Sequence, residues 1–449
     1  MADARVRQGR STEELLGRIR RKEALVGVIG LGYVGLPLAL SFSEAGMETV
    51  GFDTDDEKVA RLKRGESYIS HIPADRVARA VAGKAGLVAT SDFSRLREVD
   101  AAIICVPTPL GKHREPDLSF VESTVRCLAE TLRRGQLVVL ESTTYPGTTR
   151  EIVKPILEGT GLRCGSDFHL AFSPEREDPG RSDWGLSRIP KLVGGITPGC
   201  VAAAQALYDF VVERTVAVSS PEVAEAAKLL ENIYRAVNIA LVNELKVLFH
   251  RMGIEVWEVI AAAATKPFGF TAFYPGPGLG GHCVPIDPFY LAWRAREFGM
   301  STKFVELAGE INAAMPEYVV QRLAAALNER GKSLMGARVL CLGVAYKANV
   351  DDTRESASLE VMKILLAGGA KVSYHDPYVP RLKRMRRHDL GLESVPLTPE
   401  TLAASDAVLI LTAHSAVGYA EVVKHAPLVV DTRNVARPAG EGGAVIVQA

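Results

Sequence analysis

Cysteine 283 stands in GLGGHCVPIDP (residues 278–288), with glycines on one side, two prolines on the other and a carboxylate, Asp287, four residues on. A nucleophilic thiolate needs such a setting. Small neighbours let an electrophilic carbon approach, and a nearby cation or base must help ionise a thiol whose ordinary pKa is about 8.5. Lys228 is a candidate for that cation. Asn232 follows it at helical spacing, so the two share one helix face, either as site residues or as a solvated polar stripe. His282 adjoins the cysteine in sequence, but neighbours on an extended segment point apart, and it reads as structural.

A second constellation is GLGYVG at residues 30–35. Gly30 permits a tight turn, Gly32 lets the backbone approach a pyrophosphate, and Gly35 lets helix and strand pack closely. Tyr33 and Val34 complete this cofactor-binding turn, and the helix N-terminus supplies partial positive charge. Asp53, 18 residues after Gly35, is placed to accept from ribose hydroxyls and would repel a 2'-phosphate, so NAD is favoured over NADP. ESTTYPGTT (141–149), containing Thr143, and SPERED (173–178), containing Glu175, each follow an apolar strand, at the edge where doubly wound sheets bind ligands. A thiol beside a hydride acceptor implies oxidation of a covalently held substrate.

The elements that must position these residues alternate. LVGVIG, ETVGFD, AAIICVP (101–107) and QLVVLES (136–142) are short apolar strands separated by helical segments, the pattern of a parallel sheet covered on both faces. Ser11 and Glu14, at capping-box spacing, open a charged helix over 11–24 that reads as an appendage. Residues 221–251 form one long helix suited to a spine or dimer interface. From Gly336 the strand–helix pattern restarts with ARVLCLGVAYK, a helix over 356–367, AKVSYHDP, SDAVLILTAH and PLVVDTRN. Asp376 stands where the first half has Asp53, but of the glycine pattern only Gly343 is kept, so this half should not grip a dinucleotide. The fold class is α/β, two doubly wound domains joined by a long central helix.

With 53 basic and 53 acidic residues, no global field recruits nucleic acid or an anionic membrane. The basic run RLKRMRRH (381–388) lacks interleaved aromatics and reads as solvated surface. No apolar run reaches the roughly 20 residues that span a bilayer, and the Arg-rich start has no signal-peptide core, so a cytoplasmic protein is expected. The six cysteines show no CxxC spacing and no HExxH pair occurs, so neither a disulfide framework nor a metal is expected; five cysteines are read as packing residues.

Taken in order, GLGYVGLP, ESTTYPGTT, FSPERE, AKLLEN, GPGLGGHCVPIDPFY and KANVDDTRES resemble the UDP-sugar 6-dehydrogenases of the UDP-glucose/GDP-mannose dehydrogenase family, over nearly the whole chain from Leu25. The resemblance implies oxidation of a sugar C6 alcohol to a carboxylate with two NAD. It further implies an N-terminal helical extension (1–24), an NAD-binding Rossmann domain (25–218), a central helical dimerisation domain (219–315) and a C-terminal UDP-sugar-binding Rossmann-like domain (316–449), assembled as a homodimer or higher homo-oligomer. By the same resemblance, Cys283 is the nucleophile, Lys228 the cation facing the reacting oxygen, and Asn232 a second support for that oxygen. Asp287 works with a water as general base, Thr143 orients that water and also meets the cofactor, and Glu175 serves thioester hydrolysis. Thr108 and Arg354 correspond to cofactor contacts, and Gly280, Lys347 and Arg433 to substrate contacts.

SPER (173–176), SYISHIP (67–73) and HCVPIDPFYLAW (282–293) resemble the N-acetylglucosamine branch, with UDP-glucose and UDP-N-acetylmannosamine as alternatives. Members with NPEF often carry a second glutamate four residues after the first; that position here is Pro179, leaving Glu177 and Asp178 open as the assisting acid. Two other readings compete. A β-hydroxyacid dehydrogenase would share the Lys-xxx-Asn helix but transfer one hydride without covalent capture, and an NAD-sensing regulator would bind without reacting.

Overall fold

The structure, a computed structural model, describes residues 12–69, 72–111, 115–177, 185–281, 286–382, 390–440 and 442–449. The chain divides into two compact units, Met1–Glu231 with Trp293–Met300, and Asn232–Ala292 with Ser301–Ala449.

The first unit is built on eight strands: β1 Val26–Ile29, β2 Thr49–Phe52, β3 Leu87–Thr90, β4 Ala101–Ile104, β5 Leu137–Leu140, β6 His169–Phe172, β7 Lys191–Gly195 and β8 Thr215–Val218. Their order is β3-β2-β1-β4-β5-β6-β7-β8, parallel except for β6 against β7. Strands such as VGVI and AAII are buried along their whole length, because helices cover both faces and leave no solvated side for polar residues. Register carries the chemistry to one edge. Ile29 pairs with Phe52 and Ile104, Ile104 with Leu140, and Leu140 with Phe172. The residues that follow these strands, Asp53, Gly30, Cys105, Glu141 and Ser173, therefore stand in one row at the carboxyl edge. The strand order reverses between β1 and β4, the switch point where such sheets take ligands.

The helix Thr12–Arg20 corrects one expectation. It is no appendage: Leu15 and Ile19 are buried in the first unit's core, and Arg18 pairs with the buried Asp100. Burial of the two aliphatic side chains, worth about 1.5–3 kcal/mol each, holds the helix down. Ser11 lies outside the described residues.

The second unit carries five parallel strands, β9 Arg338–Leu342, β10 Lys371–His375, β11 Ala407–Ile410, β12 Leu428–Asp431 and β13 Val445–Gln448, in the order β10-β9-β11-β12-β13. A helix Lys303–Asn328, with Pro316 inside it, packs on the helix Ala357–Ala367. The long helix is observed as Pro221–Met252, its residues 221–231 belonging to the first unit and 232–252 to the second. Among the described residues no helix is long and apolar enough to cross a membrane.

Candidate active site

At the first unit's carboxyl edge, Gly30 takes φ +91°, and a Cβ there would lie 2.6 Å from the Cys105 carbonyl oxygen. A Cβ on Gly35 would lie 1.9 Å from the Gly30 oxygen, so both positions demand glycine. Gly32 differs: nothing stands within 4 Å of its Cβ position, which leaves the backbone bare to an approaching ligand. The helix Gly35–Glu44 begins without a side-chain cap after Tyr33 and Val34, so the positive end of its dipole lies at this turn. This arrangement fits a dinucleotide pyrophosphate. Asp53 accepts the Leu31 N–H at 2.9 Å and the Asp55 N–H at 3.0 Å, with Lys58 Nζ at 3.5 Å, and its remaining lone pairs suit ribose hydroxyls. Thr108 is buried four residues beyond β4.

Farther along the edge, Ser142 donates to the Val106 oxygen at 2.7 Å and ties the exit of β5 to that of β4; Thr143 is half-buried beside it. Glu175, after β6, accepts the N–H groups of Arg176 at 2.7 Å and Glu177 at 2.6 Å, and meets Lys191 Nζ at 3.4 Å. Burial opposes its charge, but Lys191, these N–H groups and Lys228 outweigh burial and hold its carboxyl below the usual range. An ionised glutamate so placed can accept a proton. Glu177 is described, whereas Asp178 and Pro179 lie outside the described residues.

Sequence reading missed the group behind Glu175. Lys191 Nζ also meets the buried Glu141 at 3.2 Å, and the Tyr208 hydroxyl donates to the same carboxylate. Burial disfavours charge on Lys191, yet the two carboxylates keep its pKa above the ordinary value; burial raises that of Glu141 despite Lys191. The only sequence signal was that Glu141 heads the ESTTYPGTT segment. On the long helix, Glu225 is missed in the same way: its carboxylate accepts the Gly147 N–H at 2.7 Å, and the Thr149 N–H and hydroxyl at 2.9 and 2.7 Å.

In the second unit the structure brings two expected site residues together. Asn232 Nδ2 donates to Asp287 Oδ2 at 2.6 Å, both side chains being buried, and Asp287 opens the helix Asp287–Glu297. His282 and Cys283 lie outside the described residues. The glycines before them are closely packed. A Cβ on Gly280 would lie 2.8 Å from the Tyr346 Cβ, one on Gly281 (φ +94°) 3.0 Å from its ring, and one on Gly278 3.1 Å from Ala357. Lys347 is half-buried. Arg433 donates to the Leu411 oxygen at 2.8 Å, and burial lowers its pKa to about 10. Arg354, expected at the cofactor, is chelated by Asp352 within its own loop, at 2.7 and 3.0 Å.

One cysteine does more than pack. Cys200 accepts from the Leu170 N–H at 3.3 Å and the Thr197 hydroxyl at 3.2 Å, and lies beside the free thiol of Cys164. The Cys164 contact, followed by His169 and Thr197, outweighs burial and lowers its thiol to about 4. Among the described residues no cluster of three or more His, Cys, Asp or Glu could hold a metal.

Three family models match the chain: the NAD binding domain of the UDP-glucose/GDP-mannose dehydrogenase family over residues 24–212, its central domain over 222–314 and its UDP binding domain over 340–438. The UDP-N-acetyl-D-glucosamine 6-dehydrogenase of Pseudomonas aeruginosa is 36% identical over 396 residues, 88% of this chain and 91% of that one. The solved UDP-D-ManNAc dehydrogenase of Pyrococcus horikoshii superposes with a TM-score of 0.85 at 34% identity, covering 94% of this chain and 98% of its own. The NDP-N-acetyl-D-galactosaminuronic acid dehydrogenase of Methanosarcina mazei Go1 does so at 0.79 and 32%, covering 97% of each. With a glycine turn that fits the cofactor and all three domains matched, the chain belongs to the UDP-glucose/GDP-mannose dehydrogenase family and is an NAD-dependent UDP-sugar dehydrogenase.

Proposed function

We propose that the chain carries out the four-electron oxidation of the C6 alcohol of UDP-N-acetylglucosamine to the uronic acid, through a thiohemiacetal and then a thioester on Cys283. The observation that carries this reading is the 2.6 Å bond from Asn232 to Asp287. It fastens the residue four beyond Cys283 to the helix that also bears Lys228.

The C6 hydroxyl proton passes to a water held by Asp287 and Thr143, leaving an aldehyde. The Cys283 thiolate adds to the aldehyde carbon, and the oxygen takes up a proton to give the thiohemiacetal. Lys228 and Asn232 offset negative charge on that oxygen as it develops. The second oxidation yields the thioester. A water deprotonated by Glu175 adds to its carbonyl carbon and expels the thiolate as the acid forms. NAD, when bound, accepts the hydride released in each oxidation. Capture on sulfur keeps the aldehyde from escaping between the two. Lys347 and Arg433 hold the UDP portion, with Gly280 beside the sugar.

N-acetylglucosamine is preferred on the segments SPER and HCVPIDPFYLAW and on the Pseudomonas relative. The relatives divide among glucosamine, mannosamine and galactosaminuronic acid names, so UDP-N-acetylmannosamine is the second reading and UDP-glucose the third. We also propose a homodimer through the long helix, where Tyr234, Leu241, Leu248 and Met252 are exposed at spacings of seven, seven and four residues. Incubation with UDP-N-acetylglucosamine, UDP-N-acetylmannosamine and UDP-glucose in parallel, counting NADH per acid, tests the reaction. Two NADH per acid, fastest with the first sugar, is expected; one NADH per product would replace the covalent reading with a single-hydride dehydrogenase.

A further inference from the structure

Lys246, on the second-unit part of the long helix, is 5% exposed, yet among the described residues its Nζ has no hydrogen-bond partner. The Tyr318 ring lies with its centroid 5.8 Å from that nitrogen. The charged and titratable groups in its field are Arg322 from the helix Lys303–Asn328, Asp431 and Arg433 at the end of β12, Glu255, and His250 on its own helix. Both acids are committed elsewhere. Asp431 accepts the N–H groups of Arg433, Val435 and Ala436 at 2.8, 2.7 and 2.8 Å, and Glu255 accepts Arg437 at 2.7 Å. Burial first, then Arg433, lower the Lys246 amine to about 7. A buried amine with no hydrogen-bond partner, beside acids already committed elsewhere, is unfavourable until an anion joins it.

The surroundings indicate where that anion sits. Arg433 lies just past β12, at the carboxyl edge of the second sheet. Its guanidinium presses on Gly276, where a Cβ would be 2.6 Å from Nη1. The Gly276 N–H in turn donates at 3.0 Å to Asn243, one helical turn before Lys246. Asn243 on the long helix and Arg433 past β12 thus meet at Gly276, with Lys246 one helical turn beyond Asn243.

We propose that Lys246 is a positioning residue which, with Arg433, clamps the diphosphate of the UDP-sugar. This inference rests on the UDP-sugar reading above. Arg433 contributes a planar fork and Lys246 a point charge, and phosphate oxygens supply the partner that the amine lacks.

Lys246→Met in the full chain tests it, through calorimetric titration with UDP, steady-state kinetics and thermal unfolding. The UDP Kd and the KM for UDP-sugar are expected to rise about 10- to 100-fold, with KM for NAD changed less than about twofold. The ligand-free Tm should hold or rise, because an apolar chain of similar length replaces an amine without a partner. UDP affinity equal in variant and wild type would overturn the proposal, as would a ligand-free variant that is less stable or fails to fold, which would reveal an existing partner for the amine. Failure of the wild-type chain itself to bind UDP would overturn the UDP-sugar reading and this inference with it.

Discussion

Asp53 and Asp376 hold the same place in their sheets, directly after β2 and β10, and differ in what their carboxylates have left to give. Asp53, 8% exposed, accepts two backbone N–H groups beside a turn where Gly32 faces empty space. Asp376, 3% exposed, accepts four, from Val344 at 2.8 Å, Ala345 at 3.3 Å, Tyr378 at 2.8 Å and Val379 at 3.1 Å, and meets His414 Nε2 at 3.0 Å. His414 Nδ1 accepts the Asn349 N–H, so Nε2 carries the proton it gives to Asp376. A carboxylate offers about four lone-pair sites, and those of Asp376 are taken. The remaining glycine of its turn, Gly343, has φ +81° and would set a Cβ 2.4 Å from the Thr412 oxygen. One topological position thus serves a ligand in the first half and the chain itself in the second.

The largest expected effect follows from Asp376→Ala. It strands four N–H donors, three of them buried, and His414, and should cost the second unit about 3–5 kcal/mol in urea unfolding, with KM for NAD unchanged. A loss below about 1 kcal/mol would dissolve the contrast. Gly32→Ala inverts the pattern. Unfolding should shift by less than about 0.5 kcal/mol. KM for NAD should rise about 10- to 100-fold, because the new methyl stands where the pyrophosphate approaches. Asp53→Ala should raise KM for NAD about tenfold by removing the ribose acceptor, with less effect on unfolding than Asp376→Ala.

Glu225 extends the comparison to pH. Asp376 has His414 as partner, and its carboxyl lies below the usual range although burial works the other way. Glu225 has three donors but no cation among its bonded partners, and burial raises it from 4.5 to about 7. Between those values the folded chain keeps a proton that the unfolded chain has lost. Its contribution to stability therefore falls as pH rises from about 4.5 to 7, by about 1 kcal/mol per pH unit at the steepest. Glu225→Gln should flatten that slope, and an unchanged slope would remove the assignment.

Local pattern made part of this legible. The glycine turn, the apolar four-residue strands and the long helix each depend on neighbours in sequence, so GLGYVG, Asp53 and residues 221–251 could be read directly. The group of Glu141, Glu175, Lys191 and Tyr208 could not. It forms where β6 meets β7 antiparallel and a helix crosses behind them, a long-range arrangement with no periodic signature. The glycines at 278–281 were readable as special, but Tyr346, which packs on Gly280 and Gly281, lies more than 60 residues away in sequence. Arg354 was readable as charged, whereas its capture by Asp352 two residues away competes with any ligand in a manner that only geometry reveals.

Acid formation by a Cys283→Ala chain tests the central claim most directly. With NAD binding retained, as measured by titration, no uronic acid should accumulate from UDP-N-acetylglucosamine. Wild-type output of the acid from that variant would contradict oxidation on sulfur.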